Sequence, residues 1–405
     1  MRAATTVRQD QHEHNGNDSR YPLPGSPSDS RGHLPTAPVG TSSGLRSTLL
    51  LIGVADWIAR RRMRSLGLWG PGLATAGDIV GHLTAMQAQE HRYARWSVGQ
   101  RMKGSPTFSS LDRAFDEGRI LRTHALRPTW HYVAPHDLRW LLNLTGPRVN
   151  ARNARRYHEL GLDAKTLGRA NDLIAEAVAS EPHTRRELAG VLEAHGISAA
   201  DQRIAHILMH AELQSVICSG PMRGKQHSYA SFDRRVPTGK GPRHDEAVAT
   251  LAGRYFSTRG PATLNDFVWW SGLTTSEARR GLADVSSQLV SLVIDDRTYW
   301  LTGRSTPPTT PRIDLVQCYD EVIISYSQTR DVLQTPSSGF AVPGHIDGFQ
   351  HVLLLDGRLL GHWRHLQRRG SGRVETRIEK SLTEEERTVL SDAIDRYRRF
   401  SALDR

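Results

Sequence analysis

Apolar residues recur at three- and four-residue spacing along much of the chain, most clearly between residues 245 and 301. Ala249, Leu251, Ala252, Tyr255 and Phe256 predict an amphipathic helix over 245–258. Arg259-Gly260-Pro261 ends it, because proline cannot continue the hydrogen-bond ladder. Thr263 followed by Asp266 predicts a new helix start, with the hydroxyl accepting a first-turn N–H and the acid favouring the positive helix end. This second helix closes at Trp270, and Ser271-Gly272-Leu273 reads as a tight turn. Thr274 with Glu277 starts a third helix to about 285. A strand over 289–294, a turn at Asp295-Asp296-Arg297 and a return strand over 298–301 follow. Three helices with a glycine turn and then a hairpin predict a winged helix-turn-helix.

The same start recurs at Thr75 with Asp78 and at Thr184 with Glu187. Around the second copy, helices are expected near 165–179, 184–196 and 198–213, then a wing from Ser219 to Gln226. Around the first, helices are expected over 78–87, 92–102 and 109–117, then a strand over 127–133. The copies are unequally spaced, which favours three related domains with different insertions over a solenoid. From about 304 the period changes. Strands are expected at 313–319, 349–355 and 359–363, with Asp356-Gly357-Arg358 as a hairpin turn. A long Arg-rich loop over 364–373 and a helix over 383–400 complete the chain. Residues 1–44 are rich in Ser, Gly, Pro, Asn, Asp and Arg without periodicity, and are expected to be disordered. The expected architecture is therefore α+β. It has a tail (1–44), three winged-helix units (45–150, 151–240, 241–303) and a β-rich subdomain (304–405).

Charge narrows the partners. Lys and Arg number 53 against 42 Asp and Glu, a net +11 that favours a polyanion. An anionic membrane is disfavoured, since no basic amphipathic helix shows a continuous apolar face. The apolar run over 49–55 is far too short to span a bilayer and follows a long polar tail, so it is not a signal peptide. A cytoplasmic, nucleoid-associated protein bound to double-stranded DNA is the expectation. A monomer suffices, because three domains can surround a duplex without symmetry.

Cys218 and Cys318 form no CxxC pair, which argues against a thiolate zinc site or a disulfide framework. His206 and His210 have i, i+4 spacing but no third ligand in view. No Walker loop, dinucleotide fingerprint or nucleophile motif appears, so neither metal nor cofactor is expected. Candidate DNA contacts are Arg127, Thr129 and His131, which would share one face of a strand; packing that face against helices is the competing reading. Arg223 and Lys225 occupy the second wing tip. Arg364, Arg368, Arg369 and Arg373, with Arg377, flank Gly370-Ser371-Gly372. Five phosphate contacts there would give a log–log salt slope of roughly −4 to −5.

Six segments, in order and spanning about 50 to 400, resemble one family. They are Met86-Gln87-Ala88-Gln89-Glu90; the run from Arg122 to His131; Arg259-Gly260-Pro261-Ala262-Thr263; Trp269-Trp270-Ser271-Gly272-Leu273; Tyr319-Asp320-Glu321; and Asp356-Gly357-Arg358 with Gly361-His362-Trp363-Arg364. The family is that of the bacterial winged-helix proteins that include azinomycin-resistance and crosslink-repair DNA glycosylases. The resemblance implies three winged helices and a β-rich part around a DNA channel. It implies hydrolysis of the N-glycosidic bond of bulky or crosslinking N-alkyl purines, chiefly N7-alkylguanine, in duplex DNA. The family signature is Gln-x-Gln or Gln-x-Asp, here Gln87-Ala88-Gln89, making Gln87 and Gln89 the catalytic candidates. Asp320 or its neighbour Glu321 would orient a glutamine or an arginine, or form a structural ion pair.

A cationic N7-alkylguanine is already a good leaving group, so two amide carbonyls can suffice to place a water and favour positive charge on the sugar. No lysine sits beside the glutamines, so a monofunctional enzyme without Schiff-base chemistry is expected. One difficulty stands: on a helix, i and i+2 lie about 200° apart. The pair converges only if the helix ends there. The competing class is a non-catalytic winged-helix regulator or architectural factor, which the lack of a ligand-sensing domain or dimerisation helix weakens.

Overall fold

The computed structural model describes residues 53–239, 241–303, 311–335, 350–368 and 371–402. The expected tail and Arg369 lie outside the described residues, as does the Arg368 side chain. The fold is mixed, with 52% helix and 18% strand, so helices build most of the core and the sheets are small.

Helices Val54–Ser65 and Ala76–Leu83 lead into β1 (Ala85–Gln87). Helices His91–Gly99 and Phe108–Asp116 follow, then β2 (Leu121–His124) and β3 (Trp130–Val133). The antiparallel sheet order is β1-β3-β2, leaving β1 on an edge. The expected helix over 78–87 ends early, at Leu83. Thr84 takes φ 65°, ψ −51° and turns the chain into β1. A 25-residue helix, Pro135–Glu159, comes next. Its proline at the first position costs no hydrogen bond, but no capping box announces it, and the pattern reading missed it.

Helices Ala164–Ala177, Arg185–Ala194 and Arg203–Leu213 accompany β4 (His183–Thr184), β5 (Ile217–Ser219) and β6 (Ser228–Ser231), with order β4-β6-β5. Then come helices His244–Arg259, Leu264–Ser271 and Thr275–Val285, and the hairpin of β7 (Val290–Ile294) and β8 (Arg297–Leu301). Asp295 and Asp296 both have positive φ, 46° and 60°, as a tight two-residue hairpin turn requires. Gly272 ends its helix at φ 71°. A Cβ there would stand 2.8 Å from the Leu126 carbonyl oxygen, so glycine is needed for conformation and for close approach to the first sheet.

β9 (Ile313–Val316), β10 (His351–Leu355), β11 (Arg358–Arg368) and β12 (Ser371–Ile378) form an antiparallel sheet of order β12-β11-β10-β9. The expected Arg-rich loop is therefore largely a hairpin, with Arg364 opposite Glu375 and Arg368 opposite Ser371. The last helix, Glu384–Ala402, packs Tyr397 against Trp363 and Trp96, and Phe400 against Phe108, with ring centroids 4.6–5.1 Å apart. That contact ties the C-terminal sheet to the helices beside β1.

The four expected Thr-x-x-acid capping boxes form, Thr75–Asp78, Thr184–Glu187, Thr263–Asp266 and Thr274–Glu277, and a fifth joins Thr383 to Glu386. Each is worth about 1 kcal/mol. Asp266 does more. It is fully buried and also accepts from the backbone N–H of Ser327, Gln328 and Thr329, so the cap anchors the segment after the short helix Glu321–Ile324.

Candidate active site

The difficulty of the glutamine pair disappears in the backbone. Gln87 lies on a strand, not a helix, paired with His131 across β1 and β3. The Ala88 N–H donates to the Trp130 carbonyl at 2.7 Å, so the extended pairing continues past the strand end. Side chains alternate on extended chain. Met86, Gln87 and Ala88 are buried and Gln89 half-buried, and the two glutamine side chains meet the β2–β3 region. There the Gln87 Oε1 accepts from Arg127 Nη2 at 2.8 Å, and the Gln89 Oε1 accepts from the Trp130 N–H at 3.3 Å. Each carbonyl oxygen keeps a second lone pair.

An ion pair stands where the next strand would be. The outer edge of β1 presents the Ala85 carbonyl and the Gln87 N–H. Arg259 Nη2 donates to the first at 2.9 Å, and Glu321 Oε1 accepts from the second at 2.9 Å. Glu321 Oε2 accepts from Arg259 at 2.7 Å, from Trp270 Nε1 at 2.9 Å and from Ser325 Oγ at 2.6 Å. Both partners are essentially unexposed. Burial disfavours charge on Glu321, but the Arg259 guanidinium and the hydrogen bonds from Ser325, Arg259 and the Gln87 N–H outweigh it, holding the carboxyl below its usual range. On the other side, Arg122 donates to the Ala88 and Gln89 carbonyls at 2.9 and 3.3 Å, with its guanidinium 4.2 Å above the Trp130 ring.

The acid that bonds the Gln87 backbone is Glu321, whereas Asp320 bonds an arginine. Asp320 caps the helix Glu321–Ile324 and makes a two-point ion pair with Arg101, at 2.7 and 2.9 Å. Of the three residues expected to share a DNA-facing strand face, only His131 is on β3; Arg127 and Thr129 lie in the preceding loop. His131 is wholly buried and cannot touch DNA in this arrangement. Burial, with Arg127 nearby, keeps its imidazole well below the usual value and hence neutral. Among the described residues, Arg127 Nη1 and Thr129 Oγ1 are shielded and have no hydrogen-bond partner. Burial, with Arg259 and Arg330 close by, lowers the Arg127 pKa to about 10, which still leaves it cationic at neutral pH.

Elsewhere the basic candidates scatter. Arg223 bonds Glu187 at 2.9 Å, tying the 219–226 segment to the capping acid of helix Arg185–Ala194, while Lys225 is exposed. Arg364 bonds Glu375 at 2.8 Å, and Arg373 is exposed with Glu375 at 3.9 Å. One carboxylate thus offsets part of the hairpin's charge. Among the described residues, no group of three or more His, Cys, Asp or Glu is placed to hold a metal. None of the described helices is long and apolar enough to cross a membrane.

Arg259 and Arg122 went unassigned by sequence reasoning, and Glu321 was offered only as a neighbour of Asp320. Arg259 and Glu321 stand within two of the matched segments, yet nothing local says that they meet from 62 positions apart.

A family model described as "DNA glycosylase AlkZ-like" matches residues 80–400. The interstrand DNA cross-link repair glycosylase of Streptomyces sahachiroi is 25% identical over 305 residues, covering 71% of this chain and 82% of that protein. The solved structure of Streptomyces sahachiroi DNA glycosylase AlkZ shares the fold, with TM-score 0.65 at 20% identity over 86% of this chain and 96% of that one. The family match takes in the glutamine pair, the Arg259–Glu321 clamp and the C-terminal sheet alike, and the chain belongs to the AlkZ-like family of DNA glycosylases.

Proposed function

We propose that the protein excises bulky or crosslinking N-alkyl purines, N7-alkylguanine above all, from duplex DNA, with Gln87 and Gln89 as its catalytic residues. The observation that carries this is a pair of amide side chains, Gln87 on the edge strand and Gln89 two residues on, that both bond the β2–β3 region while the strand backbone is clamped by a buried ion pair. In the reaction, the C1′–N9 bond breaks and its electron pair neutralises the cationic purine. Water adds to C1′ and its proton passes to solvent. The amide dipoles hold that water and favour positive charge on the sugar. Neutral amides cannot protonate a leaving base, so the site depends on lesions that already carry charge.

Helices 244–285 with the β7–β8 hairpin, and the corresponding groups around Thr184 and Thr75, are read as three winged-helix units within 241–303, 151–240 and 45–150. A β-rich subdomain spans 304–405. They would surround the duplex as a monomer. Lys225 is exposed and free to reach phosphates, Arg373 is exposed and only loosely paired with Glu375, and Arg223 and Arg364 would first leave their acids. A chromosomal substrate places the enzyme in the cytoplasm beside the nucleoid.

The test compares duplexes carrying N7-alkylguanine, a neutral alkyl lesion or normal purines, scored as alkali-labile strand breaks. Release of the cationic lesion alone is expected. Equal release of neutral and cationic bases would contradict the mechanism, and no release of any would remove the substrate assignment.

A further inference from the structure

Four buried arginines of this protein are well bonded. Arg101 has Asp320 and the Leu66 and Ser97 carbonyls. Arg259 has Glu321, the Ala85 carbonyl and the hydroxyls of Ser325 and Thr258. Arg62 donates to the Pro261 and Thr329 carbonyls and the Thr329 hydroxyl, beneath the Tyr326 ring. Arg122 has two carbonyls and the Trp130 face. Such saturation is expected, because a buried guanidinium is costly unless its N–H groups are used.

Arg127, half-buried, is bonded more sparsely. Among the described residues its side chain has one hydrogen bond, to the Gln87 Oε1, and a ring contact 6.0 Å from the Trp269 centroid, while its Nη1 is shielded without a hydrogen-bond partner. Glu321, the acid nearest in effect, has both oxygens committed to other donors, and the other close charges, Arg259 and Arg330, are positive. A group retained at that cost for scaffolding would be better paired. Its one hydrogen bond among the described residues is to a candidate catalytic side chain.

We propose that Arg127 is a positioning residue that acts through Gln87 alone; this rests on the catalytic reading of the glutamines given above. A guanidinium only donates, so it fixes the Gln87 amide with its oxygen toward Arg127 and its NH2 group away. The charge-assisted bond weakens the remaining acceptor capacity of Oε1 and strengthens the NH2 donors. Gln89 carries no such bond, since its oxygen accepts one backbone N–H at 3.3 Å. The two glutamines are therefore unequal: Gln89 accepts the hydrogen of the water, and Gln87 is the oriented donor that fixes its oxygen.

The experiment is a double-mutant cycle under single-turnover conditions on an N7-alkylguanine duplex. Arg127→Met should slow base release about tenfold to a hundredfold. It should leave the DNA Kd within about twofold and should not lower Tm, because hydrocarbon replaces an under-bonded, half-buried cation. Arg127→Lys should restore part of the rate. The Arg127→Met effect should persist in a Gln89→Ala background and vanish in Gln87→Ala. A readout independent of activity is the ¹⁵N side-chain amide resonance of Gln87, assigned by its loss in Gln87→Ala, which should move toward the free-glutamine position in Arg127→Met.

Three results would overturn the proposal: wild-type rate and resonance in Arg127→Met, an undiminished Arg127 effect in Gln87→Ala, or a rate loss that only tracks a fall in Tm. Wild-type release by Gln87→Ala would instead remove the catalytic reading of Gln87, which is a separate outcome.

Discussion

Asp320 and Glu321 are neighbours, both fully buried and both paired with a buried arginine, yet they hold different things. Asp320 grips Arg101, whose remaining donors reach the carbonyls of Leu66 and Ser97, so this pair binds the first helices to the C-terminal sheet. Glu321 grips Arg259, and together they take the two free backbone groups on the edge of β1. One pair joins elements; the other substitutes for a strand and sets the backbone that carries Gln87. The difference comes from the turn between them, where Asp320 caps a helix that Glu321 begins and the two carboxylates are sent to opposite sides. Burial and charge pairing alone therefore do not mark a functional residue; the partner's partner does.

The sharpest way to break the comparison is to neutralise each acid. Glu321→Gln and Asp320→Asn each leave a buried arginine uncompensated, and each should cost about 3–5 kcal/mol in denaturant unfolding. Only Glu321→Gln should also slow base release per folded molecule, by roughly a hundredfold, since it loosens the strand that aims the amide. Equal kinetic effects would erase the distinction between the pairs.

Acidity offers a second, smaller test. His131 and His351 are buried, His91 and His227 half-buried, and desolvation holds each below the usual 6.5, to about 3 for His227 and His351. Depressed histidines bind protons in the unfolded chain first. Stability should therefore be full above pH 6.5 and fall as pH drops below it. Glu321 has the opposite charge type but the same direction: its depressed carboxyl stabilises the fold above the unfolded value, and that is lost at lower pH still. Urea midpoints at pH 7.5, 5.5 and 4 should decline in that order, with the last step reduced in Glu321→Gln. A flat profile would mean the histidines are hydrated.

The smallest effect is expected at the hairpin, far from either pair. Glu375 neutralises part of the arginine charge there. Glu375→Gln should tighten DNA binding two- to threefold, and Arg373→Ala should lower the magnitude of the salt slope by about 1. Unchanged slopes would remove β11–β12 from the DNA footprint.

What could be read from the sequence follows how local each feature is. The capping boxes were legible, because a threonine and an acid three residues on are sufficient to make them. Helices 244–259, 264–271 and 275–285 and the β7–β8 turn followed from period and glycine or aspartate placement. β1 was not legible: Ala85-Met86-Gln87 is too short to show a period, and the positive φ of Thr84 leaves no compositional mark. The 364–373 stretch looked like a loop because arginines hid its strand alternation. The choice between Asp320 and Glu321 depended on where β9 ends, which neighbouring residues do not encode.

The most direct measurement is single-turnover release of N7-alkylguanine from duplex DNA by the wild type, Gln87→Ala and Gln89→Ala, with DNA Kd measured alongside. Each variant should lose about 10²- to 10³-fold in rate while binding DNA as the wild type does. Release at the wild-type rate by both variants would contradict the claim that this edge strand carries the catalytic residues.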